Sequence, residues 1–277
     1  MFINESSFIK ASVFTDFFFL SDFLMPDLIQ LIETYSQQAW PAPQQTLLEG
    51  WHIRYGGGYT RRANCVNPVA HQPGDVDARI NQCEEFYRAL DQPVVFRITP
   101  LIQPPDLDVL LEKRGYRHEA LTSVQVLETL PASAAADPEL EIAGVLNDDW
   151  LQAFAALSGV SRANQSALSE ILGGISTDRA FAALYPEESG RDNPPAATGL
   201  AVLQEDTLGL FDVVTDIRWR GRGLAGRLMD GLLGWGRSRG GTRAYLQVME
   251  DNLAALGLYH KLGFRHLYHY HYRVKVL

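Results

Sequence analysis

Cysteine is nearly absent: only Cys65 and Cys83 occur in 277 residues. Two thiols cannot build a disulfide framework, and their spacing matches no metal-ligand pattern. They read as idle buried thiols in a reducing compartment, so the expected location is the cytoplasm. An excess of positive charge is lacking too. The formal net charge of −9 argues against nucleic acid or an anionic membrane as a partner, while a cationic or amine substrate is compatible with it. A membrane-spanning run is also lacking. The one candidate, VFTDFFFLSDFLM at 13–25, is broken by Asp16 and Asp22 and is too short. It has neither the basic flank nor the cleavage site of a signal peptide. With 46% hydrophobic and 21% charged residues, the composition is that of a globular protein with one large or two modest domains.

What is present divides the chain. Met25 opens a clean helical stretch, MPDLIQLIETYSQQAW, which makes residues 1–24 an extension expected to be dispensable for folding. The clearest seam is LPASAAADPELE at 130–141, small residues and prolines without a period. Residues 131–141 are read as a linker between a first half, 25–130, and a second, 142–277. Each half closes on the same kind of phrase, LLEKRGYRHEALTSVQVLETL from 110 and LYHKLGFRHLYHYHYRVKVL from 258. In both, a helix ends on glycine, Gly115 or Gly263, where a left-handed cap costs little, and an alternating strand follows. Upstream of each lies another apolar strand, PVVFRITPL at 93–101 and RAYLQVME at 243–250. The pattern is a diverged internal duplication.

In the second half, TGLAVL (198–203) and TLGLFDVVT (207–215) flank Gln204, Glu205 and Asp206 as a hairpin. WRGRGLAG follows at 219–226, with Gly221, Gly223 and Gly226 at dinucleotide-loop spacing. Leu224, Leu228 and Leu232, with Met229 and Leu233, then form one face of a helix that stops at Gly240 and Gly241. Strand, glycine loop, helix and strand make a crossover unit that calls for parallel pairing. The N–H groups and positive dipole end at such a helix start bind phosphates. Arg218, Arg220, Arg222 and Arg227 add charge beyond what one nicotinamide pyrophosphate requires. A nicotinamide dinucleotide site has Glu250 as a ribose partner in its favour. Against it, DIRW separates the strand from the first glycine, and too little chain follows for a doubly wound sheet.

VVTDIRWRGRGLAGRLMDGLL resembles the acyl-CoA-binding motif of the GNAT superfamily of N-acyltransferases, Arg/Gln-x-x-Gly-x-Gly/Ala, which Arg220, Gly223 and Ala225 fill. NLAALGLYHKLGF is similar to the second GNAT motif, with Asn252, Tyr259, Gly263 and Phe264 in place, and NDDWLQAFAALSG (147–159) takes the position of the first helix. The resemblance covers roughly 198–277. It implies an α/β fold of tandem GNAT-like halves, with mixed central sheets flanked by helices and acetyl-CoA as co-substrate. It also implies roles: backbone groups of Val214 and Thr215 for the pantetheine arm and acetyl carbonyl, and Arg220, Gly221, Arg222, Gly223, Leu224, Ala225 and Gly226 for the phosphates. Asn252 is a cofactor contact or a helix cap, and Tyr259 is the general acid or a buried aromatic. The first half departs from the pattern. Leu111 stands where Tyr259 does, and 64–92 holds no phosphate loop, so this half is expected to have lost its cofactor site. EGWHIRYGGGYTRRANCVNP (49–68) resembles the N-terminal part of some two-domain GNAT proteins; Trp51, Arg54, Arg61, Arg62 and Asn64 are pocket, core or turn residues.

Asp212 and Glu250, near strand ends, are candidates for the general base, each equally readable as a solvated carboxylate. The last strand alternates Tyr268, Tyr270 and Tyr272 with His269, His271 and Arg273. His269 and His271 find no third ligand in this pattern, so no metal site is expected. The expected reaction is transfer of an acetyl group from acetyl-CoA to the primary amine of a small molecule or peptide, by direct attack. The alternative is a non-catalytic acyl-CoA sensor. The tyrosine-bearing last strand is read as an edge strand, which permits a homodimer and does not require one.

Overall fold

The computed structural model describes residues 27–70, 72–132, 136–188, 190 and 193–277. The extension expected at 1–24 lies outside them. Helix α1 is described over 27–39. It is followed by β1 (Gln44–Leu48), β2 (Trp51–Tyr55), β3 (Val66–Pro68), α2 (Val76–Arg88), β4 (Val94–Ile98), α3 (Leu107–Lys113) and β5 (Arg117–Leu127). The second half contains β6 (Leu140–Ala143), α4 (Asp148–Ser158), α5 (Gln165–Gly173), β7 (Asp178–Leu184), β8 (Ala197–Gln204) and β9 (Thr207–Thr215). It ends with α6 (Leu224–Ser238), β10 (Arg243–Met249), α7 (Leu253–Lys261) and β11 (Arg265–Lys275). No helix among the described residues is long and apolar enough to cross a membrane. Cys65 and Cys83 are both buried and free.

All the strands join one mixed sheet in the order β1-β2-β3-β4-β11-β5-β10-β9-β8-β7-β6. Only β3 with β4 and β9 with β10 run parallel. The order reveals an exchange. β5, which closes the first half, pairs with β10 of the second, from Leu127↔Ala244 to Thr122↔Met249. β11, which closes the second half, pairs with β4 of the first, from Ile98↔His271 to Val94↔Lys275. The two exchanged strands pair with each other at the centre, so β11 is flanked on both sides and is not the edge strand expected from the sequence. Each half is therefore completed by the other's last strand.

The repeated phrase has a repeated geometry. Gly115 and Gly263 take φ +83° and +91°. The next residues close the same turn, Tyr116 N–H to Leu111 O and Phe264 N–H to Tyr259 O, both at 3.0 Å. The seam is shorter than its composition suggests, because β6 begins at Leu140, inside the run read as a linker, and pairs with β7 at the sheet's outer edge.

α6 buries Leu224, Leu228, Met229, Leu232 and Leu233 on the sheet. Full burial of one such side chain is worth about 1.5–3 kcal/mol. Close approach needs Gly236, where a Cβ would come within 2.6 Å of Leu208 Cδ2 on β9. On the opposite face, α1 joins the core of the second half. Ile32, Tyr35 and Trp40 cluster with Phe154, Phe181, Phe211 and Tyr245. Glu33 there accepts from buried Arg97 of β4 at 2.8 Å and from the Tyr268 hydroxyl of β11.

Candidate active site

β9 and β10 run side by side only from Thr207↔Arg243 to Leu210↔Leu246. Beyond that point β9 turns away. Between Phe211 and Val214 it carries one residue more than the facing stretch of β8, and Asp212 takes φ +53°, a bulge that bends the strand. Val214 and Thr215 pair with Thr198 and Ala197 of β8, but have no strand partner on the β10 side. The gap opens into a cavity of about 1110 Å³ whose walls come from both halves.

Asp212 and Tyr259 line this cavity. Asp212 Oδ1 accepts from Arg62 at 3.1 Å, while its buried Oδ2 has no partner. Burial pushes the Asp212 carboxyl up, and Arg62 opposes that. Tyr259 packs edge-on to Phe264, and burial raises its phenol to about 12. Its hydroxyl makes no hydrogen bond among the described residues.

β9 runs directly into the glycine loop. Asp216 Oδ1 accepts from Arg218 N–H at 2.9 Å and shapes one tight turn, after which Gly221 and Gly223 both take φ +79°. Gly223 is the residue before the first turn of α6. Among the described residues, no backbone N–H from Gly221 to Gly226 donates to a carbonyl or side chain. Six donors thus lie in sequence where the positive end of the α6 dipole begins, an arrangement suited to an anion.

Residues 28–274 match the family described as "Probable histone acetyltransferase Rv0428c C-terminal". The chain belongs to this family. It is an acetyltransferase of the GNAT superfamily. A Bacillus subtilis relative described as "Uncharacterized N-acetyltransferase YobR" is 30% identical over 257 residues, covering 90% of this chain and 99% of the relative. Two solved structures share the fold. A GCN5-related N-acetyltransferase from Kribbella flavida superposes with a TM-score of 0.62 at 13% identity, covering 89% of this chain and 94% of that one. A tandem GNAT protein from the clavulanic acid biosynthesis pathway gives 0.60 at 13% identity, covering 88% and 86%.

In this GNAT acetyltransferase the loop arginines are less available than their number suggests. Arg227 is held by Asp137 and Glu139, Arg218 by Asp216, and Arg222 by Glu188 while lying over Trp219. Arg220 is in no ion pair among the described residues; its Nε donates to Thr215 O at 3.3 Å. Asn252 caps α7, accepting from Ala255 N–H at 3.2 Å, and also lines the cavity. Glu250, the other base candidate, lies apart from Asp212 and Tyr259. It is not part of the cavity lining, and its Oε1 lies 2.6 Å from His269 Nε2.

The acetyltransferase's first half splits its candidates. Trp51 is buried and donates to Gln103 O at 2.8 Å, and Arg54 is buried against the carbonyls of Arg62, Gln37 and Trp40. Both are framework. Asn64 Oδ1 accepts from Gly56 and Gly58 N–H at 2.9 Å each and holds the loop that carries Arg61 and Arg62 into the cavity wall. Sequence reasoning passed over Gln247, which lines the cavity from β10; it accepts from the Tyr270 hydroxyl at 3.0 Å, and its buried Nε2 has no partner. The only available signal was its place in a strand leading to a motif.

Proposed function

We propose that this acetyltransferase takes the acetyl group of acetyl-CoA and delivers it to the primary amine of a small molecule or peptide by direct attack. One relationship carries the reading: β9 bears Asp212 at the cavity, leaves its unpaired edge toward β10, and runs straight into six N–H groups without a partner among the described residues. Phosphates suit those donors and the α6 dipole, with Arg220 beside them. An extended amide chain suits the free backbone edge of Val214 and Thr215. Acetyl-CoA supplies an activated thioester carbonyl there.

The chain's own groups then divide the work. Asp212 accepts the proton that the acceptor nitrogen loses, directly or through water, and its raised pKa brings it closer to that of an amine. Backbone N–H groups on the open edge of β9 stabilise the oxygen that gains negative charge. Tyr259 donates its hydroxyl proton to the sulfur as the carbon–sulfur bond breaks and is reprotonated from solvent. A phenol at about 12 is fully protonated at neutral pH, so the donor is always in place. The catalytic unit is 142–277, and the first half, 25–130, gives up cofactor binding to wall the acceptor side with Arg61 and Arg62.

The test is calorimetric titration with acetyl-CoA, desulfo-CoA and NAD, followed by thiol release across polyamines, aminoglycosides, amino acids and peptides. Binding of the first two ligands without NAD, and thiol release with at least one amine, is expected. Absence of acetyl-CoA binding would overturn the reading. Binding without turnover of any amine would favour the sensor.

A further inference from the structure

The terminal strand is not regular. Opposite β5, His266 faces Gln125 and Tyr268 faces Val124, so Leu267 is an extra residue and the strand bulges. Residues three apart point to opposite faces of a regular strand. The bulge reverses this for His266 and His269, whose rings lie 4.0 Å apart between centroids. His271, two residues beyond His269, does not join this pair. His271 instead stacks on His118 and contacts Asp108 at 3.0 Å.

A third group reaches the two rings from β10. Glu250 N–H donates to Leu121 O of β5 at 3.0 Å, which holds the carboxylate beside His269. One ligand atom each from Glu250, His266 and His269 fall within 4.8 Å of one another. Around a tetrahedral ion with bonds of roughly 2.0–2.2 Å, ligand atoms are about 3.4 Å apart, a distance that small side-chain rotations reach. Ser123 Oγ lies 2.8 Å from His266 Nδ1. A hydrogen bond from Nδ1–H to Ser123 leaves Nε2 as the lone-pair nitrogen, the outer-sphere support that metal-binding histidines use.

We propose that Glu250, His266 and His269 bind a divalent transition-metal ion of the zinc type. Two imidazoles and one carboxylate favour such an ion over magnesium or calcium, which prefer all-oxygen sets. Three protein ligands leave a fourth position for water. The ion takes the place of any proton shared by His269 Nε2 and Glu250 Oε1, so uptake releases protons and weakens at acid pH. The site lies outside the acetyl-transfer cavity and does not depend on how that cavity works.

The experiment is titration of the tag-free full chain with Zn²⁺ by calorimetry, and with Co²⁺ by visible absorption, which reports coordination directly. One equivalent is expected, with a rise in melting temperature on loading. His266→Ala and His269→Ala should each lose about tenfold or more in affinity, with Ser123→Ala in between. Glu250→Gln provides a variant that keeps both rings, and His260→Ala, on the exposed face of α7, should bind as the unaltered chain does. Melting in EDTA shows that each variant is folded. Failure of the unaltered chain to take up one equivalent, or equal affinity in the histidine variants, would overturn the site.

Discussion

Arg62 and Asp212, 150 positions apart in sequence, form an ion pair at 3.1 Å that joins the first half to the bulge of β9. The Arg62 guanidinium also lies 3.9 Å from the Trp40 ring centroid, so its position is fixed from two sides. Burial raises the Asp212 pKa and Arg62 lowers it. Arg62→Gln removes the lowering influence. A base must be ionised to act, so the acid limb of kcat/KM should move to higher pH, with about tenfold less activity below the limb per unit moved. Activity should recover in alkaline buffer. A pH profile with an unmoved limb would remove Asp212 from the role of base.

The same carboxylate should cost stability. A folded-state pKa above the unfolded value means that Asp212 binds its proton more readily in the native state. Its contribution is fully present below the unfolded pKa and is lost as pH rises through the folded one. At neutral pH Asp212→Asn should therefore stabilise the protein, by roughly 0.5–2 kcal/mol on the scale typical of relieved active-site strain, while abolishing turnover. Paired melting curves near pH 4 and pH 7 check this, because the gain should shrink at the lower value.

Tyr259→Phe separates catalysis from binding. The hydroxyl has no hydrogen-bond partner among the described residues, so its loss should leave melting temperature and acetyl-CoA affinity unchanged. Removing a general acid lowers turnover by typically 10²–10⁴-fold. Rapid-mix measurement of thiol release shows whether the loss falls on kcat. A variant with unaltered kcat would return Tyr259 to a packing role.

Local chemistry explains what was legible in the sequence. The glycine loop, the leucine face of α6, the cap at Asn252 and the buried Tyr268, Tyr270 and Tyr272 all depend on residues close along the chain. Strand exchange does not, since β5 and β11 would look the same whichever neighbour they paired with. The bulge at Leu267 was hidden for a related reason: a period-two pattern persists on either side of one inserted residue, and only the partner strand exposes the slip. That Glu250 lies outside the cavity lining was not legible, because sequence locates a strand end but not the side to which the last carboxylate turns. The loop arginines were overcounted because their acidic partners, Asp137, Glu139 and Glu188, come from distant segments.

Gly223 tests the phosphate corner. Its φ of +79° costs a non-glycine residue about 1–2 kcal/mol, although no atom lies within 4 Å of a Cβ placed there. Gly223→Ala should therefore lower stability modestly and keep some acetyl-CoA affinity. Gly223→Glu should lower stability similarly but abolish binding, because its carboxylate repels phosphates at the start of α6. Calorimetry on the pair isolates charge from strain; equal affinities would argue that the loop is a structural turn.

The strand exchange predicts that the halves are not separable. A fragment of residues 136–277 would carry β11 without β4 on one side or β5 on the other, and β10 would lose its partner from Ala244 to Met249. A fragment of residues 27–132 would leave β5 with neither β10 nor β11 and expose the face of α1 that packs on Phe154 and Phe181. Unpaired strand edges and bare apolar faces favour aggregation. Each fragment alone should lack a cooperative thermal transition, and the two expressed together should recover one. Cooperative unfolding of the isolated 136–277 fragment as a monomer would mean that β11 can fold back beside β10, and that the exchange is a choice between two pairings of similar energy.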